Sequence, residues 1–166
     1  LERGSVKYPS VRIKTKFLKK MYGASSYTGA DTAGEIHLTN YTLDYVDERY
    51  IRSKDSEDDF ESLLFEYMID QITNPVVQEY DGVTGFNEEY FYQEVQRQNE
   101  QIENIINDKQ SYAYNCLCEE MCKDEPYGVY YLGSVEDSID LTPQKLYKYY
   151  KDRYLKKQSI KIFYSS

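Results

Sequence analysis

Residues 35–46, Glu35-Ile36-His37-Leu38-Thr39-Asn40-Tyr41-Thr42-Leu43-Asp44-Tyr45-Val46, alternate apolar and polar side chains with the period of two that marks a half-buried strand. Glycines at 29 and 34 punctuate the stretch before it, so a β-hairpin is expected from Ala24 to Val46 with its turn between Gly29 and Gly34. Upstream, Pro9-Ser10 opens a lysine-rich segment with Val11, Phe17, Leu18 and Met21 on one side, which predicts a helix over 10–21 that Gly23 ends. The first residues, Leu1-Glu2-Arg3-Gly4-Ser5, have a loop or expression-tag composition and are not expected to form a buried element; with Leu1 in place of Met, the chain reads as an excised piece of a longer protein.

Downstream of the hairpin the period changes to 3.6. Ser56 followed by Glu57, Asp58 and Asp59 is an N-cap with an acidic first turn, and Phe60, Leu63, Leu64, Tyr67 and Met68 then recur at helical spacing until Asn74-Pro75, predicting a helix over 57–73. Residues 76–86 show no period and are expected to form a loop. Asn87 caps the longest helix, with Glu88 and Glu89 at its positive end and Phe91, Val95, Gln98, Ile102 and Ile105 on one seam. Asp108-Lys109 marks a break before a helix over 110–122 with Ala113, Leu117 and Met121 on one face, and Pro126 and Gly128 end that unit. Thr142-Pro143, with Leu141 positioned to staple onto Leu146, starts a helix to about Leu155, and 159–164 read as a final strand. The order predicts an α+β fold: a mostly antiparallel sheet with helices packed on one face, in one domain over 1–166 whose narrow sheet implies further strands upstream of Leu1.

The composition removes several functions. With 20 Lys+Arg against 29 Asp+Glu and a net charge of −9, the chain has no basic stripe for phosphate neutralisation, so nucleic acid and anionic membrane are not expected partners. Apolar runs fall far short of a bilayer span and no signal-peptide pattern opens the chain, so a soluble, cytoplasmic protein is the expectation. The 20 Tyr and no Trp suggest an aromatic binding surface, but Tyr, Lys, Ile and Asn are all plentiful, as in a biased genome. Three cysteines, Cys116, Cys118 and Cys122, form no disulfide framework; only Cys118 and Cys122 share a helix face, too few ligands for a structural zinc site. Glu88-Glu89 and Glu119-Glu120 are adjacent on helices, cannot face one another, and read as solvated surface. No phosphate-binding glycine loop and no nucleophile elbow is present.

Three ordered patterns carry a resemblance. They are Tyr8-Pro9-Ser10 with Phe17-Leu18 and Met21-Tyr22-Gly23-Ala24; Gly85-Phe86-Asn87-Glu88-Glu89-Tyr90-Phe91 with Glu94, Gln101-Ile102 and Asn107-Asp108-Lys109; and Glu119-Glu120-Met121-Cys122-Lys123-Asp124-Glu125-Pro126-Tyr127 with Gly133, Asp137, Leu141-Thr142-Pro143 and Leu146-Tyr147. Together they resemble the pitrilysin/insulinase-type (processing-peptidase-like) zinc metallopeptidases, in particular a bacterial branch lacking the catalytic motif. The resemblance implies one of two such domains closing around a peptide. Family chemistry rests on H-x-x-E-H, whose histidines hold zinc and whose glutamate activates a water. The only histidine here is His37, in the predicted hairpin and read as a strand-face residue, so that motif does not occur in residues 1–166. The family's distal glutamate ligand falls by the resemblance on Glu100, beside the plainer reading of a solvated helix glutamate. The expectation is therefore a non-catalytic segment, with no catalytic residue and no cofactor of its own. It would hold an extended peptide on a strand edge beside a second peptidase-like domain or paralogous subunit. Any zinc would belong to the full-length protein or to that partner. The alternatives are an active zinc peptidase whose motif lies upstream of Leu1, and an interaction domain without peptide chemistry.

Overall fold

Side chains written into the sequence start the helices. Ser10, Asn87, Asp108, Ser134 and Thr142 each accept a hydrogen bond from the backbone N–H three residues on, satisfying a donor that the first helical turn leaves without a partner. They cap α1 (Val11–Lys20), α3 (Glu88–Asn104), α4 (Lys109–Met121), α5 (Val135–Ile139) and α6 (Pro143–Tyr149). The remaining elements are β1 (Ser25–Ala33), β2 (Ile36–Asp44), α2 (Phe60–Thr73), β3 (Val77–Tyr80) and β4 (Val83–Phe86). The computed structural model describes residues 2–51, 59–156 and 161–165. The fold is α+β and helix-dominated, with two two-stranded antiparallel sheets, β1–β2 and β3–β4, among the described residues.

Most expected helices stand where periodicity put them. A 3₁₀ turn over Ile105–Asn107 makes the break before α4, and α6 runs on into a π-helical turn over Tyr150–Leu155. The expected cap at Ser56 and its acidic neighbours lie outside the described residues, and α2 starts at Phe60 behind Asp59. The expected apolar face of α4 is not covered: Leu117 is 54% and Met121 74% exposed.

Four expectations need correction. The first hairpin turns at Gly34-Glu35, with Gly29 inside β1; Ala33 pairs with Ile36 and Gly34 takes φ +61°, as a two-residue turn with glycine at its first central position requires. Residues 76–86 are a second hairpin, because Asp81 (φ +49°) and Gly82 (φ +84°) supply the two left-handed residues of a tight turn between Tyr80 and Val83. In the final run, Ser159 and Ile160 lie outside the described residues, and 161–165 join no strand ladder among the described residues, so alternation there is not matched by a pairing partner within them. The opening residues from Glu2, finally, form a strap in which Gly4 and Ser5 are interior.

Gly4 and Ser5 are buried, and Ser5 has no exposed surface. The Ser5 hydroxyl uses its full capacity: it donates to Asp70 Oδ2 (2.5 Å) and accepts from Gln71 Nε2 (2.7 Å) and from the Tyr8 backbone N–H (3.1 Å). Val6 N–H donates to Asn74 C=O (2.9 Å) and Ser5 bridges Pro75, fastening the strap to the end of α2. Gly4 sits at φ +136°, where an added Cβ would lie 2.4 Å from the Tyr8 carbonyl oxygen. Glu2 reaches the first hairpin, its Oε1 accepting from the N–H (2.9 Å) and hydroxyl (2.8 Å) of Thr28, while Lys14 of α1 donates to its carbonyl (3.1 Å).

Beneath the strap lies the main core of Tyr8, Leu18, Ala24, Phe60, Leu64 and Tyr67, with Phe17, Met21, Leu43 and Tyr45 against it. Tyr67 stacks on Phe17 at 5.1 Å and meets Tyr8 edge-on at 5.1 Å. Burial pushes the Tyr67 phenol up, and the hydroxyl pairs with Ser26 of β1 at 3.0 Å. The second hairpin packs on α6 so closely that a Cβ on Gly85 would lie 3.0 Å from Gln144 N and 3.1 Å from Pro143 C.

Two predictions follow from the strap. Ser5→Ala strips a partner from the half-buried Asp70 carboxylate, the buried Gln71 amide and the Tyr8 N–H, and is expected to cost on the order of 2 kcal/mol, read as a lower urea midpoint. Burial alone would raise the Glu2 carboxyl, but the Thr28 bonds and the charges of Lys14 and Arg97 outweigh it and hold it below its ordinary 4.5. A depressed carboxyl contributes in full above 4.5 and loses its contribution as pH falls through the lower folded value. Urea midpoints taken from neutral pH downward should fall in that window, and less steeply in Glu2→Gln.

Candidate functional site

The long seam of α3 faces a cleft. Phe91, Val95, Gln98 and Ile102 form one wall of a cavity of about 410 Å³. Pro75 and Val76 before β3, Phe86 of β4, Leu132, and Leu141 and Leu146 at the start of α6 form the rest of its apolar lining. Helical periodicity thus identified one wall. The opposite wall depends on the missed β3–β4 hairpin and on α5, which no sequence period announced.

Polar groups hold the mouth. Arg3 Nε donates to Glu94 Oε1 (2.5 Å) and Arg97 Nη2 meets Glu94 Oε2 (2.6 Å), so one carboxylate joins the strap to α3. The Arg3 guanidinium lies 6.0 Å over the Tyr90 ring. Gln98 Nε2 donates to the Leu132 carbonyl (2.8 Å), tying α3 to the segment before α5. Asn99 Nδ2 donates to Ser138 Oγ (3.1 Å), whose own hydroxyl donates to the Val135 carbonyl (2.7 Å). Asn99 Oδ1 is buried and has no hydrogen-bond partner among the described residues. Asp137 Oδ2 accepts from Ser134 Oγ (2.8 Å) as part of the α5 cap.

The residues singled out from the sequence are scattered. Glu100 lies on the exposed side of α3, accepting from Gln96 Nε2 (2.9 Å), away from the cleft lining. His37 is exposed in β2 opposite Thr32. Cys116 is exposed, Cys118 and Cys122 are half-buried, and all three are free thiols. Glu88, Glu89, Glu119 and Glu120 are exposed. Among the described residues no three His, Cys, Asp or Glu side chains are grouped to hold a metal ion, and no helix is long and apolar enough to cross a membrane. Asn99 and Ser138 were missed; an amide and a hydroxyl facing each other from different helices leave no spacing signal in a single sequence.

No protein-family model matches the chain. Over 158 residues it is 28% identical to the "Probable inactive metalloprotease YmfF" of Bacillus subtilis (strain 168), a match covering 95% of this chain and 35% of that protein. A crystal structure of a conserved protein from Enterococcus faecalis V583 superposes with a TM-score of 0.78 at 24% identity, over 90% of this chain and 34% of that one. The chain thus spans about a third of the length of each, and the second likeness shows the fold alone.

Wall and surface should respond differently to substitution. Phe91, 5% exposed, is expected to cost about 3–5 kcal/mol as Phe91→Ala. Glu100→Gln and His37→Ala, both exposed, should each stay within about 0.5 kcal/mol. Chemical denaturation of the three variants checks the ordering.

Proposed function

We propose that this chain is a non-catalytic metallopeptidase-like domain that contributes a wall to a peptide-holding chamber, alongside a second peptidase-like domain or a paralogous subunit. The observation that carries the reading is the likeness, along 95% of the chain, to a protein named as a probable inactive metalloprotease. Chemistry supports it. A catalytic zinc of this kind takes three protein ligands and keeps a position for water, and the zinc-peptidase helix supplies two histidines one turn apart. With His37 as its single histidine, this sequence has no such pair to offer. What remains is a cleft with apolar walls and few polar groups at its mouth, an arrangement suited to holding a ligand.

The alternative is an active zinc peptidase completed by ligands from outside residues 1–166. It would use Glu100, whose carboxylate is exposed on α3 with Gln96 as its hydrogen-bond partner. Zinc analysis of the complete protein, paired with an assay on an unfolded peptide, separates the two. The proposal expects no stoichiometric zinc and no chelator-sensitive cleavage. One zinc per protein with cleavage lost on chelation would overturn it, and Glu100→Gln would then report whether that residue is a ligand.

A further inference from the structure

We propose that a second pocket, between α4 and residues 127–131, binds a methylated ammonium head group. It shares no lining residue with the α3–α6 cleft. The sequence builds it locally. The 3₁₀ turn Pro126–Gly128 folds back on the end of α4, where the Glu125 N–H donates to the Cys122 carbonyl (2.8 Å). A Cβ on Gly128 would lie 2.8 Å from the carbon of that carbonyl and closer still to its oxygen, so glycine is what permits the approach. The turn sets Tyr127, Tyr130 and Tyr131 beside Tyr114 of α4. The Tyr114 and Tyr127 hydroxyls meet at 3.3 Å, and the Tyr130 and Tyr131 rings stand edge to face, 5.1 Å apart at 80°. Glu119 of α4 and Thr32 of β1 also line the pocket.

Four tyrosines and a carboxylate around a space of about 100 Å³ select the ligand. The face of an aromatic ring is the negative part of its quadrupole and attracts a cation within about 6 Å of its centroid. Glu119 adds a formal negative charge, and residues 119–125 hold four carboxylates against one lysine, so the neighbourhood draws positive charge. Among the described residues no lysine or arginine lies over these four rings or pairs with Glu119. The attraction is thus open to a cation from outside. The volume is well below the roughly 300–1,000 Å³ typical of whole-ligand sites, which fits a compact head group. A bare ammonium is strongly hydrated and carries three N–H donors that each need an acceptor. Methylation removes those donors and wraps the charge in an apolar skin, so a trimethylammonium leaves water for ring faces at the least cost.

The head group occurs on free choline and on trimethylated lysine. Calorimetric titration of the complete protein with choline and with a blocked trimethyllysine should show saturable binding, and the tighter of the two names the source. Dimethylbutanol, in which carbon replaces the charged nitrogen of choline, should not bind. Tyr131→Leu and Glu119→Gln, both at exposed positions, should each weaken binding several-fold. Tyr112→Leu, on α4 but outside the pocket, should bind as the parent does. Binding untouched by both Tyr131→Leu and Glu119→Gln would place the cation elsewhere and overturn the proposal. Dimethylbutanol binding as tightly as choline would overturn it too, and so would no binding of either cation. The peptide-holding reading stands or falls on the zinc and cleavage measurements, whichever way these titrations come out.

Discussion

One buried hydroxyl holds the architecture together. Ser5 Oγ spends its single proton on Asp70 and both acceptor positions on Gln71 and Tyr8, joining the start of the chain to the end of α2 across 65 residues. Other contacts lean on that anchor. With Ser5 fixed against Pro75, Gly4 can take its left-handed backbone, Arg3 reaches Glu94 on α3, and Glu2 reaches Thr28 on the first hairpin. Helix α3 and the Pro75-Val76 segment thereby face each other across the cleft. A buried polar cluster of this kind contributes by being complete: remove one member and the others keep their desolvation cost without their bonds.

What the sequence disclosed followed from how locally each element is determined. Helix starts were legible because a capping side chain and the N–H it satisfies lie three residues apart, as with Asn87 and Tyr90 or Thr142 and Lys145. The seam of α3 was legible because side chains at helical spacing fall on one face; of the five placed there, Phe91, Val95, Gln98 and Ile102 line the cleft and Ile105 does not. The second hairpin did carry a signal, Asp81-Gly82 between Tyr80 and Val83, but four-residue strands are too short for alternation to stand out. The strap carried no local signal at all. Glycine and serine in Gly4-Ser5 have the composition of a loop, and only partners at positions 70 and 71 make them interior. The run at 161–164 shows the converse: Ile162 and Phe163 are 67% and 88% exposed, so a strand-like pattern has no ladder to join among the described residues.

For the site, the sequence spoke more clearly about missing chemistry than about binding. A metal that activates water needs ligands of particular types at particular spacings, and one histidine in 166 residues could be judged without coordinates. A cleft is assembled from ordinary residues, here Val95, Phe86, Leu141 and Asn99, and exists only in the space between them. Glu100 and Asn99 are neighbours in sequence, yet one faces solvent and the other lines the cleft, a difference of one helical step.

The central proposal is that the protein holds peptide without cutting it. The most direct measurement incubates the complete protein with an unfolded peptide in zinc-supplemented buffer, follows binding, and weighs the recovered peptide by mass spectrometry. The account predicts that bound peptide returns intact; cleavage products that grow with time and vanish on chelation would contradict it.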